Sequence, residues 1–197
     1  GGHLAIYTDP IGKPASLFFK HMIGDRSGVI HIGLNQVMDL RRDEIDLPFS
    51  VHVYLGGYLG LAPYTEVHGV TLYLSGVLAH VENMTLHHGG AFWMYHGGRT
   101  TNQSNSTYKF DTVRIQDKGV IQGLTSPVDH PGVKFHVRTL DVEGGGLFYA
   151  TRPAIVAENI TIDDGGLMSA DGLGYNRTHI NPHGLHGIVN PGRGILY

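Results

Sequence analysis

The residues of this sequence that could do acid–base chemistry are acidic side chains placed just before glycine-rich segments. Asp163 and Asp164 are adjacent, and Glu143 lies at the same point of an earlier, similar segment, two residues after Asp141. Enzymes that cleave glycosidic bonds use two carboxyl groups, one to protonate the leaving group and one to attack or to activate water. However, Asp163 and Asp164 stand directly before Gly165-Gly166, and Asp before Gly is typical of a tight turn. We therefore expect a turn role and assign no catalytic residue.

The same acidic residues, and the histidines, are also candidate ligands for a metal ion. Stacked acidic corners offer oxygen ligands for Ca²⁺, through Asp141, Glu143, Asp163 and Asp164, and this stays open as an alternative. The chain has 14 histidines, and imidazole is a Zn²⁺ ligand. The closest spacing of interest is His179, His183 and His186, but their segment is rich in Gly and Pro and would hold ligands poorly. We predict no metal site and place the histidines at polar strand and turn positions, including His87, His88, His96, His130 and His136.

Two tyrosines are candidates for stacking on a sugar ring or on a partner. Tyr54 and Tyr73 occupy corresponding positions of two similar segments, so they would form an exposed pair on one face. Aromatic faces pack against apolar surfaces, including those of sugars. The alternative is that the two rings stabilise neighbouring strands through cross-strand contacts.

The asparagines point to a covalent modification. Five of the eight asparagines stand in Asn-x-Ser/Thr with x not proline, namely Asn83, Asn102, Asn105, Asn159 and Asn176. With 21 Ser and Thr among 197 residues, chance would give about one such acceptor site. We therefore predict N-glycosylation, which implies an extracellular or secreted setting. The alternative is that Asn and Thr are simply common in the turns and strands of this kind of protein.

These candidates lie on a short pattern that recurs along the chain. The pattern is apolar, polar, apolar, two variable residues, a glycine turn and an apolar pair, and it begins at Val51, Val70, Met84, Val113, Leu140 and Ile160. Strict alternation is typical of a half-buried strand, and the glycines mark its corner. One such unit cannot bury its apolar face alone, so successive units must stack. The pattern predicts an all-β fold, a parallel β-helix that we expect to be right-handed.

Alternation also assigns the faces of each strand. Val51 and Val53 and their equivalents should point inward, while His52 and Tyr54 and theirs should point outward. Asn83 and Asn159 hold equivalent outward positions, each with a Thr two residues later on the same side. The step from Val70 to Met84 is too short for a full coil, so it should join two faces of one coil.

The composition argues against two classes of protein, those that bind nucleic acid and those that span a membrane. Net charge is −3, with Lys and Arg scattered, so the sequence carries no electrostatic footprint for nucleic acid. No apolar run is long enough for a membrane span. The chain has no cysteine, which taken alone favours a reducing compartment and so opposes the sequon argument.

We expect one domain over residues 1–197. Residues 1–48 are a possible N-terminal cap or the first coils, residues 49–169 form the core repeats, and residues 170–197 form a Gly/Pro-rich tail. Residues 34–45 have the best helical pattern, which Pro48 ends. The polar segments 97–109 and 125–132 should be surface loops.

The segment from Glu158 to Tyr175 resembles stretches of large glycine-rich extracellular β-helix proteins of the adhesin-like or matrix-like kind. Its shared motifs are a strand, a Gly-Gly corner and Gly172-Leu173-Gly174-Tyr175, followed later by Pro191-Gly192-Arg193-Gly194. The resemblance is loose, covers residues 50–194 and implies an extended extracellular scaffold.

We therefore expect a structural glycoprotein segment that acts in a matrix, coat, adhesive or filament. Apolar ends without polar caps predict self-association end to end or contact with neighbouring segments of a longer chain. The alternatives are a β-helix carbohydrate-active enzyme, with Asp141, Glu143 and Asp163 as its carboxylates, and a carbohydrate-binding module that uses Tyr54 and Tyr73.

Overall fold

A computed structural model describes residues 2–6, 16–18, 22–40, 43–124, 133–150 and 154–169 of the chain. All regular elements within these residues are β-strands, and every strand pair is parallel. The predicted all-β fold is confirmed. No helix in the described part of the chain is long and apolar enough to cross a membrane.

The strands form three sheets. Sheet I holds β1 (His3–Ile6), β3 (Val29–Ile32), β6 (Ser50–Val53), β9 (Thr71–Leu74), β12 (Ala91–Tyr95), β15 (Val120–Leu124), β17 (Leu147–Ala150) and β19 (Leu167–Ser169). Sheet II holds β2 (Ser16–Phe18), β4 (Val37–Asp39), β7 (Tyr58–Gly60), β10 (Val77–Ala79) and β13 (Arg99–Thr100). Sheet III holds β5 (Glu44–Asp46), β8 (Tyr64–His68), β11 (Asn83–His87), β14 (Thr107–Ile115), β16 (Lys134–Val142) and β18 (Ala154–Ile162).

From β3 to β14 the chain visits sheets I, II and III in turn, and from β6 on each of these strands pairs with the strand of the previous visit to the same sheet. Parallel pairing of this kind needs a long return connection, which the other two sheets provide here. The arrangement is compatible with a parallel β-helix. The short step from Val70 to Met84 does join two faces, because it leads from sheet I to sheet III.

The core lies between the sheets and follows the predicted alternation. Val51, Val53 and the equivalent apolar residues of the next four units are all buried. The last unit differs, since Ile160 and Ile162 are 49% and 51% exposed. Both belong to β18, which is the edge strand of sheet III among the described residues. An apolar side chain on an edge strand lacks the neighbour on one side that would bury it.

The glycine corners between sheet III and sheet I are tight turns stacked on each other. The backbone N–H of Gly90 donates to the carbonyl of His87 at 2.8 Å, and that of Gly166 donates to Asp163 at 2.8 Å. A side chain on Gly90 would overlap the carbonyl oxygen of Val67 in the preceding turn of chain. Only glycine fits, because the backbone of the neighbouring strand passes directly beneath.

The helical expectation for residues 34–45 was wrong where the structure describes this segment. β4 and β5 lie there, and they pair with β7 and β8. Val37 is partly exposed, whereas Met38, Asp39 and Leu40 are all buried, so burial in this segment does not alternate strictly. Pairing with an existing sheet edge overrides weak helix propensity.

The expectation of a surface loop at 97–109 held only in part. Asn102 and Asn105 are exposed, but Tyr108 is fully buried within β14. The predicted loop at 125–132 and the tail at 170–197 lie outside the described residues. The same is true of His130, Asn176, His179, His183 and His186.

Candidate functional site

Two predicted glycosylation sites share one column on the outer face of sheet III. Asn83 pairs in register with Thr112, Thr112 with Thr139, and Thr139 with Asn159. Asn83 is partly exposed and Asn159 exposed. Thr85 and Thr161 share a second column, because Thr85 pairs in register with Arg114, Arg114 with Asp141, and Asp141 with Thr161. The structure therefore places both asparagines and their partner hydroxyls on one face.

Asn102 and Asn105 lie between β13 and β14, and both are exposed. The guanidinium of Arg99 donates to Oδ1 of Asn105 at 2.7 Å. Thr107, the hydroxyl residue of the second acceptor site, is buried and lies 2.9 Å from the hydroxyl of Ser104. A glycan on Asn105 would therefore have to be added before this segment folds.

The outer face of sheet I carries a ladder of rings. Register pairing places His31, His52, Tyr73 and Trp93 in one column. Tyr54 and Tyr95 lie beside this column, two residues beyond His52 and Trp93, respectively. The predicted correspondence of Tyr54 with Tyr73 was therefore wrong, because Tyr73 pairs in register with His52. We call these six residues the aromatic ladder: His31, His52, Tyr54, Tyr73, Trp93 and Tyr95.

The rings of the aromatic ladder stack mainly on each other. Tyr73 stacks on Tyr95 with ring centroids 4.0 Å apart, and on its other side His52 stacks at 5.1 Å. Tyr54 stacks on His31 at 5.9 Å, and its hydroxyl lies 3.1 Å from Nδ1 of that histidine. Several ring faces therefore meet other rings of the protein, and the hydroxyls of Tyr54 and Tyr95 have hydrogen-bond partners within the aromatic ladder. This geometry favours strand stabilisation and hydrogen bonding over flat stacking of a sugar.

Burial in the aromatic ladder shifts the pKa values of His52 and Tyr95. Partial burial lowers the pKa of His52 below its ordinary value of 6.5, and the nearby charge of His31 lowers it further. Burial raises the pKa of Tyr95 above its ordinary value, as does its hydrogen bond with Tyr73. Both shifts favour the neutral forms of the His52 and Tyr95 side chains.

A groove of about 580 Å³ lies where the strands of sheet III become longer. The first halves of β14, β16 and β18 extend beyond the earlier strands and pair with each other. Farther along these strands, the register pairing skips one residue in each strand, namely Asp111 in β14, Arg138 in β16 and Glu158 in β18. This skip turns three charged residues into the groove at the same level. The groove is also lined by Glu82, Lys109 and His136.

An ion pair dominates the charge of the groove. The guanidinium of Arg138 donates to both carboxylate oxygens of Asp111, at 2.5 and 2.7 Å. This bond lowers the pKa of the Asp111 carboxyl and raises that of Arg138, to which the charge of Glu158 adds a smaller effect. Sequence reasoning missed this site, because the register skip gives no signal in the local residue pattern.

The acidic residues considered for catalysis or calcium are placed differently. Arg114 lies 3.7 Å from Asp141 and 3.2 Å from Glu143. Asp163 and Asp164 lie in the exposed corner that ends at Gly166, which fits the expected turn role. A guanidinium already neutralises part of this acidic set, so the structure adds no support for Ca²⁺ there, and that alternative stays a prediction.

Most of the described histidines lie in one of four places. His31 and His52 belong to the aromatic ladder, and His136 lines the groove. Nδ1 of His96 lies 3.0 Å from the hydroxyl of Ser106. His87 and His88 meet His68, which sequence reasoning did not single out because it lies a full coil earlier in the chain.

Comparison with protein-family models gave no match for this chain, and neither curated proteins nor solved structures gave one.

Proposed function

We propose that this chain is a segment of an extracellular structural glycoprotein, built as one right-handed parallel β-helix domain with N-glycans as covalent partners. The observation that carries the proposal is the placement of the predicted glycosylation sites. Asn83, Asn102, Asn105 and Asn159 are all on the outside of the described structure, although more than thirty apolar side chains fill its core. Asn83 and Asn159 lie in the same register column, as expected of an outward-facing position that recurs in successive repeats.

The side chains on the outer faces support a structural role. On sheet I the aromatic ladder joins successive strands by ring contacts, and on sheet III Arg114 and Arg138 join strands by ion pairs. Such contacts between neighbouring repeats are the interface terms that stabilise a solenoid.

The test is intact-glycopeptide mass spectrometry on native material. We expect glycans at Asn83 and Asn159. In a secreted recombinant chain, Thr85→Ala and Thr161→Ala should each remove the glycan from one asparagine only, so each variant is the control for the other. Unmodified asparagine at all five acceptor sites in native material would contradict the proposal.

Association with further copies or with neighbouring segments of a longer chain is part of the proposed role. Sedimentation velocity at increasing protein concentration measures it directly. We expect species that grow with concentration, and a single monomeric species throughout the range would contradict this part of the proposal.

The groove favours a second candidate function, binding or cleavage of a polysaccharide. Its volume is within the range of small-molecule sites, and it combines carboxylates with the cations Arg138 and Lys109. Glycoside cleavage needs two carboxyl groups, and the groove offers Glu82 and Glu158 beside Asp111, whose carboxyl pKa is lowered by Arg138.

Incubation with a panel of neutral and acidic polysaccharides, followed by product analysis, tests this second function. Glu158→Gln should abolish any cleavage, while Asp163→Asn, which changes an exposed corner carboxylate outside the groove, should retain it. If the parent chain neither binds nor cleaves any polysaccharide of the panel, the second function is excluded.

A further inference from the structure

Three histidines converge at the corner between sheet III and sheet I. His68 ends β8, His87 ends β11 in the register position directly beside it, and His88 follows in the turn. Ring centroids are 4.6 Å apart for His68 and His87, 4.7 Å for His68 and His88, and 5.0 Å for His87 and His88. One ring nitrogen from each lies within 4.8 Å of the other two.

We propose that His68, His87 and His88 form a binding site for a divalent transition-metal cation of the Zn²⁺ class. Imidazole nitrogens bind Zn²⁺ at about 2.0–2.1 Å in tetrahedral geometry, so ligand nitrogens of one site lie within about 3.5 Å of each other. Only small side-chain movements are needed to reach that spacing. Three protein ligands leave the fourth position to water.

Carboxylates behind two of the rings support the assignment. Nε2 of His87 lies 3.3 Å from Oε2 of Glu66, and Nε2 of His88 lies 3.1 Å from Oδ2 of Asp117. Carboxylates that accept the N–H of a ligating histidine fix its tautomer and make the other nitrogen more basic. Here they place the proton of each ring on Nε2 and leave Nδ1 as the ligand atom.

The two Nδ1 atoms then face each other. Nδ1 of His87 and Nδ1 of His88 are 2.8 Å apart. With both Nε2–H groups donated to carboxylates, two lone pairs meet at this distance, and a metal ion bound to both nitrogens would remove this repulsion.

The third ligand requires one adjustment. Nδ1 of His68 lies 3.1 Å from Nη2 of Arg26 and 3.7 Å from Oδ2 of Asp46. Ligation through Nε2 of His68 places its proton on Nδ1, so Arg26 must release that nitrogen and keep its ion pair with Asp46. The charged groups in these contacts, Asp46, Glu66, Asp117 and Arg26, sum to −2, which balances a divalent cation.

The experiment is isothermal titration of the full chain with ZnCl₂ after removal of metals by a chelator. The test variant is His88→Asn, and the matched control is His80→Asn. His80 and His88 are both exposed with positive φ, 70° and 50°, and Asn accepts this backbone conformation better than most residues. Both substitutions therefore keep the fold to the same extent.

We expect the parent chain and His80→Asn to bind one equivalent of Zn²⁺ that His88→Asn and His87→Gln bind at least tenfold more weakly. The affinity of this equivalent should rise from pH 5.5 to pH 7.5, because the metal displaces a proton. Equal Zn²⁺ binding by the parent and His88→Asn, with or without other equivalents bound elsewhere, would overturn the proposal. So would a parent chain that binds no Zn²⁺ at pH 7.5. Glycan analysis is unaffected by either result, so this site and the proposed structural role are tested separately.

Discussion

The hydroxyl of Tyr108 donates to the backbone carbonyl of Tyr95 at 2.8 Å and also lies 3.3 Å from the carbonyl of Leu74. Tyr108 belongs to sheet III, whereas Tyr95 and Leu74 end two neighbouring strands of sheet I. One buried phenol therefore crosses the interior and satisfies carbonyl groups at the far side. Burial also raises the pKa of Tyr108, which keeps the donor protonated.

Tyr108→Phe should lower the free energy of unfolding by about 1 kcal/mol, because the ring volume stays while the buried hydrogen bond is lost. Urea unfolding followed by circular dichroism measures the change. Tyr64→Phe is the control, since Tyr64 is exposed and its hydroxyl loss should leave stability unchanged. Equal stability of Tyr108→Phe and the parent would show that the interior bond contributes nothing.

Gly90→Ala should destabilise the chain by about 1–3 kcal/mol or more, because the added methyl group meets the carbonyl of Val67 and the backbone must move. The neighbouring Gly89 has a positive φ of 78° and open space around it. Gly89→Asn should therefore cost less than Gly90→Ala. Thermal unfolding of both variants decides the comparison, and the reverse order would argue against close stacking of the corners.

Substitutions of Leu140 and Ile160 test where along the stack of strands the buried core ends. They are paired in register, but Leu140 is fully buried and Ile160 is half exposed. Leu140→Ala should cost about 2–5 kcal/mol of unfolding free energy, and Ile160→Ala should cost clearly less, about 1 kcal/mol. Denaturant unfolding of the two variants gives both values. Similar losses would show that Ile160 is covered in the folded protein.

The stability of the aromatic ladder should depend on pH through His52. Its folded pKa lies below the unfolded value of 6.5, so the unfolded chain binds the proton more readily. This contribution is fully present above pH 6.5 and is lost as pH falls below it towards the folded pKa. Urea unfolding at pH 7.5 and pH 5.5 should show a smaller loss for His52→Gln than for the parent. An identical loss in both would exclude His52 as the source.

Much of the fold could be predicted because the apolar residues of each unit alternate. Val51 and Val53, or Leu140 and Val142, indicate both the strand and its buried face, and the glycines that follow indicate the corner. β4 was missed because Leu34 to Leu40 mixes spacings of three and two, and only its partner β7 decides between them. Pairing partners lie a full coil away, where local propensity carries no information.

The candidate sites were less predictable for the same reason. Asn83 and Asn159 were predicted because Asn-x-Thr is a local sequence motif, and the recurring pattern then placed both at equivalent outward positions. The groove needs the alignment of Asp111 with Arg138, and the histidine cluster needs His68 beside His87. Each of these contacts joins residues on neighbouring strands of one sheet. The number of residues between neighbouring strands varies along the chain, so local sequence does not indicate which residues will meet.

The number of residues between neighbouring sheet I strands varies, and the added residues all fall in one part of the repeat. Between residues of one sheet I column, from His31 through His52, Tyr73, Trp93, Gln122 and Tyr149 to Ser169, the steps are 21, 21, 20, 29, 27 and 20 residues. The glycine corners from sheet III to sheet I stay short throughout. In sequence, the added residues lie between each sheet I strand and the second half of the long sheet III strand that follows it, and they include the first halves of β14 and β16. Insertions and deletions during evolution can therefore reshape the groove while the stacked corners, and the histidines beside them, keep their spacing.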